Sequence, residues 1–176
     1  MKNLVLTILV ASIFISCQQE ETVITPTFKE SVEFMVDQQD FTVENAIPAE
    51  NIKSVAEQID NSGTVSLNDI WLEVKTKKEN NANIAVINIT VKDNGNEIQL
   101  LNEDIIVPLE DETSIVPLIS LLSSEGQTEI LNKLNDIVSG TDDSNIELTL
   151  KGESFYSTGT SGDIDVDMEM FIRYSF

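Results

Sequence analysis

From Ile164 to Phe176 every second residue is apolar, with Ile164, Val166, Met168, Met170, Ile172, Tyr174 and Phe176 in one series. A period of two is the spacing of a half-buried β-strand, because successive side chains leave opposite faces of the pleat. The same alternation recurs at Phe28 to Val36, where Phe28, Val32, Phe34 and Val36 oppose Lys29, Ser31 and Glu33. It returns at Ile70, Leu72 and Val74, and again at Ile146, Leu148 and Leu150. Ile84 to Lys92 and Glu97 to Val107 flank Asp93-Asn94-Gly95-Asn96. There the Asn-Gly pair favours the positive φ of a two-residue hairpin turn.

Two segments carry the helical period instead. Ile52, Val55, Ala56 and Ile59 form one stripe between Pro48 and Gly63. Leu118, Leu121 and Leu122 begin a second, interrupted at Gly126 and resumed by Ile130, Leu131, Leu134, Ile137 and Val138 up to Gly140. Ser124 and Gln127 have capping-box spacing for that helix. These six strands, one early helix and a late helical connection predict a mainly β fold, an antiparallel two-layer β-sandwich. An immunoglobulin-like topology is one arrangement that fits, although no Cys…Trp…Cys frame is present. An all-parallel sheet would show continuous apolar runs in place of alternation.

The charge balance narrows the partners. Ten Lys+Arg stand against 31 Asp+Glu, a formal charge of −21, which repels nucleic acid and anionic lipid. The chain has no His, so the commonest general base and metal ligand are missing. Cys17 is the single cysteine, and neither a disulfide nor thiolate chemistry supports the folded domain.

Met1-Lys2-Asn3 precedes an apolar run from Leu4 to Ile15 that is too short to span a bilayer. Phe14-Ile15-Ser16-Cys17 resembles the lipobox of bacterial lipoproteins, and Gln18-Gln19-Glu20-Glu21 resembles the surface-export tag of Bacteroidetes-type lipoproteins. The resemblance implies a signal peptide over residues 1–16 and a lipidated Cys17; the polar run that follows suits a tether over 17–27, and the remaining length suits a single domain over 28–176. It also implies attachment to the outer membrane, facing the cell surface or, alternatively, the periplasm. No family resemblance is found for the domain itself. Ile172-x-Tyr174-x-Phe176 resembles the last strand of an outer-membrane β-barrel, but six strands fall short of the eight a small barrel needs.

Candidate site residues follow from what breaks these patterns. Trp71 and Phe171 fall opposite the apolar series of their strands, as aromatics that meet a protein or glycan partner do. Asp163, Asp165 and Asp167 repeat at the start of the last strand and are weak calcium candidates, since calcium takes carboxylate oxygens. Neighbours two apart on a strand lie about 6.5–7 Å from each other, too far to share one ion unaided. Lys75, Lys77 and Lys78 form the one basic cluster. No Gly-x-Ser-x-Gly or Gly-rich phosphate loop occurs, and no cofactor is expected. The sequence therefore predicts a lipid-anchored, non-catalytic binding or structural accessory module. A glycan-binding lipoprotein of a polysaccharide-uptake system and a carboxylate-dependent hydrolase are the alternatives.

Overall fold

The computed structural model describes residues 27–58, 64–93, 95–110, 112–156 and 158–175. Among these residues nine strands and two helices follow in the order β1 (Thr27–Val36), β2 (Asp40–Ile47), α1 (Ala49–Gln58), β3 (Ser66–Thr76), β4 (Ile84–Asp93) and β5 (Asn96–Gln99). Then come β6 (Ile105–Pro108), β7 (Thr113–Pro117), α2 (Ser124–Ser139), β8 (Ile146–Phe155) and β9 (Val166–Ser175). One sheet has the order β1-β9-β3-β7; the other runs β2-β8-β4-β5, with β6 also paired to β4. Every pairing is antiparallel.

This is a β-sandwich with a jelly-roll strand order, each sheet alternating early and late strands. The immunoglobulin-like arrangement is therefore not the one adopted: there each hairpin stays largely within a sheet, whereas here β1 and β2 fall in opposite sheets.

The apolar series face each other between the sheets. Phe34, Ile70, Leu72, Met168, Met170 and Tyr174 of one sheet meet Ile87, Ile89, Ile146 and Leu150 of the other, all fully buried. The edge of β1 is closed by Asn45 of β2, whose Nδ2 donates to the Glu33 carbonyl at 2.8 Å. Asp93 pairs with Asn96 and Gly95 has φ 83°, so the expected two-residue hairpin forms. Asn94 lies outside the described residues.

Three local expectations are corrected. The stretch from Glu97 to Val107 is two short strands, β5 and β6, because residues 100–104 leave the sheet and Leu101 bridges to Leu122. Leu118 to Leu122 is a turn rather than helix. The cap of α2 is Ser123, one residue earlier than expected: its Oγ accepts the Gly126 N–H at 2.8 Å, which places Gly126 within the first helical turn. On α1, Ile52 and Ala56 are buried as the stripe predicts; Ile59 and Gly63 lie outside the described residues. The helices contact each other and strands β1, β4 and β5.

One acid enters the inner face. Glu30 shares the parity of Phe28 and Val32, and its carboxylate meets Asn51 Nδ2 of α1 at 3.4 Å. Burial raises its pKa, partly offset by hydrogen bonds from Asn51 and Tyr174. A raised carboxyl pKa means that stability is complete below the unfolded pKa of about 4.3 and declines as pH rises through the folded value. Glu30→Gln is therefore expected to raise Tm by about 1–3 °C at pH 7.5. The gain should vanish near pH 3, where both states of the wild type are protonated. Thermal unfolding at the two pH values checks this, and an equal shift at both would contradict it.

Candidate functional site

The outer face of the four-stranded sheet is set by strand register. Its rows are Lys29–Arg173–Asp69, Ser31–Phe171–Trp71–Pro117, Glu33–Glu169–Glu73–Ile115 and Met35–Asp167–Lys75–Thr113. Trp71 and Phe171 are thus direct cross-strand partners, with ring centroids 4.9 Å apart and planes inclined by 18°. Lys29 Nζ sits 4.3 Å from the Phe171 centroid, and the Arg173 guanidinium 5.7 Å from that of Trp71. Such contacts each stabilise by about 0.5–1 kcal/mol at exposed sites.

Phe171 is buried, held between the Trp71 ring and the Lys29 ammonium. Trp71 stays half-buried. On the same face the sequence reading missed Ile115, 65 % exposed and one row from Trp71, and Met35, 74 % exposed on β1 beyond the glutamate row. Met35 was findable from the alternation of β1. Ile115 was not, because the five-residue β7 carries no legible period.

Glu33, Glu169 and Glu73 lie abreast in one row, an arrangement of like charges that destabilises a sheet. Lys75 supplies the counter-charge, 3.0 Å from Glu73. That hydrogen bond, with Glu169 and Glu33 nearby, raises the Lys75 pKa.

The structure does not gather the calcium candidates. Asp165 and Asp167 both point to Lys77, at 3.3 and 2.8 Å, so an ammonium occupies the position a cation would take. Asp163 precedes β9 and uses its carbonyl to accept the N–H groups of Asn81 and Ala82. Among the described residues no three acidic groups are placed to hold a metal. Two members of the basic cluster, Lys75 and Lys77, thus clamp acids of their own sheet.

Carboxylates do converge elsewhere, in a cavity of about 650 Å³ lined by Glu129, Asp136, Asp142 and Glu147 together with Lys92 and Lys133. The Asp142 pKa is held at about 2 by the Ser144 hydroxyl, the Ser144 N–H and Lys133. A glycosidase acid needs the opposite shift. None of the lining residues is aromatic.

No protein-family model matches this sequence, and no curated protein matches it. Among solved structures, turnip yellow mosaic virus is similar at 11 % identity and TM-score 0.37, covering 87 % of this chain and 81 % of that one. Pili of Bacillus endospore appendages are similar at 12 % identity and TM-score 0.32, over 87 % and 91 %. A family 11 carbohydrate-binding module from Clostridium thermocellum, in complex with a mixed-linked tetrasaccharide, is similar at 12 % identity and TM-score 0.25, over 90 % and 91 %. These overlaps are too low to bear on function. Among the described residues no helix is long and apolar enough to cross a membrane.

Proposed function

We propose that this chain is a lipid-anchored, non-catalytic binding module of a bacterial cell surface, held at the outer membrane through Cys17. The lipobox-like Phe14-Ile15-Ser16-Cys17 supports the anchor. Nine residues separate Cys17 from Thr27, at most about 36 Å of extended chain, so the start of β1 lies within that distance of the lipid.

The observation that carries the binding role is the apolar group Trp71, Pro117 and Ile115, with Met35 on the same sheet face. Clustered exposed apolar side chains rimmed by charge mark interaction surfaces. Lys29 and Arg173 border the group on one side and the glutamate row crosses it, so the partner is a protein surface that presents apolar residues together with both charges.

Photo-cross-linking from position 115 on intact host cells should yield discrete protein adducts. The variant Trp71→Ala, with the cross-linker kept at position 115, should lose at least nine-tenths of them, since central aromatic contacts dominate such interfaces. Unchanged adducts, or none in the wild type, would remove this face from the reading.

A further inference from the structure

The outer face of the other sheet contains buried threonines, which an exposed sheet surface does not require. Thr149 of β8 is 0 % exposed and its cross-strand partner Thr90 of β4 is 5 % exposed. Strand order explains their burial. Lys151 of β8 reaches Glu97 of β5 at 2.5 Å and must cross β4 to do so; Lys92 of β4 reaches Glu44 of β2 at 3.0 Å across β8. Two ionic straps therefore lie over the threonine pair. Beneath them Thr149 Oγ1, Thr90 Oγ1 and the neighbouring Asn88 Oδ1 are buried and have no hydrogen-bond partner among the described residues. Groups of this kind are costly to leave unpaired in a folded protein. Exposed ion pairs such as Lys151–Glu97, by contrast, give way at little cost.

A cavity of about 530 Å³ opens beside this floor, within the usual range of small-molecule sites. Asp40, Thr42, Asn88, Asp104, Lys151 and the half-buried Phe155 line it. Asn88 Nδ2 donates to Asp104 Oδ1 at 2.7 Å and to Gln99 Oε1 at 3.3 Å, which fixes the amide. Acceptors, one ammonium, the Thr42 hydroxyl and two aromatic rings, Phe41 and Phe155, are thus combined in one groove, one row from the Thr90–Thr149 pair. A ligand hydroxyl both donates and accepts, so a hydroxyl-rich ligand pairs with every one of these groups. Its C–H face has Phe155 to rest on. The excess of carboxylates, on a chain of net charge −21, excludes anions.

We infer that this groove binds a neutral oligosaccharide, whose hydroxyls displace the Lys151–Glu97 strap and satisfy Asn88, Thr90 and Thr149. The inference takes the binding-module reading as given and assigns a second face, opposite the Trp71 sheet.

The test titrates the full-length lipoprotein in detergent with cellotetraose, laminaritetraose, maltotetraose and mannotetraose by calorimetry. Saturable binding of at least one is expected, weakened tenfold or more by Thr149→Val and by Phe155→Ala. Thr149→Val should keep or raise Tm, which separates lost binding from lost folding. The inference is overturned if none binds up to about 10 mM, if binding survives both substitutions, or if spermine binds in place of the sugars. Binding abolished by Trp71→Ala alone would also overturn it, by placing the sugar on the other sheet. None of these failures touches lipidation of Cys17 or the cross-links from position 115, so the two readings fail separately.

Discussion

Replacing Gly152 by alanine is expected to destabilise the domain by about 3 kcal/mol, at the upper end for overpacking a well-filled core. Gly152 pairs with Phe41 on one side and Ile87 on the other, in a row whose side chains face the core. A Cβ there would lie 2.4 Å from the Val86 carbonyl oxygen, 2.6 Å from Phe41 Cζ and 3.0 Å from Ile87 Cγ2. The Phe41 ring is buried and covers the place where Gly152 lacks a side chain. Carbonyl 86 belongs to the adjoining strand and can retreat only by loosening the β4–β8 ladder. Tm should fall by about 6–12 °C for a chain of this length. Phe41→Leu in the same background should restore part of the loss by vacating the ring position. Urea unfolding measures both, and a single-variant cost below about 0.5 kcal/mol would mean that the ring does not occupy that place.

The second large effect concerns location. Cys17→Ala is expected to move the protein from the detergent phase to the aqueous phase almost completely in a Triton X-114 partition. Each acyl CH₂ withdrawn from water contributes about 0.8 kcal/mol, so two or three chains hold a protein at a bilayer where one does not. No other feature of the described domain replaces that anchor: an acidic module is repelled by anionic headgroups. Intact mass should show the acyl chains on the wild type and their loss in the variant. Wild-type protein that partitions into water with a free thiol would end the lipoprotein proposal, while the sandwich would stand unchanged.

Sequence and structure agree where a strand is long and half-buried. β1, β3, β8 and β9 were legible because one face of each meets the opposite sheet, so their apolar residues recur with the pleat. β2 hid its period: Phe41, Val43 and Ile47 share a face, but Asn45 interrupts the series to hold the edge of β1. β5, β6 and β7 have only four or five residues each, too few for a period to emerge. Trp71 and Phe171 were visible as residues out of step with their strands. That they touch was not, because adjacency depends on β9 lying between β1 and β3 rather than beside β8.

The order of residues along this chain by itself determined its layers: alternation requires antiparallel strands with one dry face, and an excess of acids keeps the other face wet. The lipobox-like segment on which the proposed address rests lies in consecutive residues and needs no fold to be read. Only the tertiary structure decided the jelly-roll order, the Trp71–Phe171 stack, the capture of Asp165 and Asp167 by Lys77, and the straps over Thr90 and Thr149. Each of those joins residues distant in sequence through strand register, and register is settled by how two whole faces close on one core.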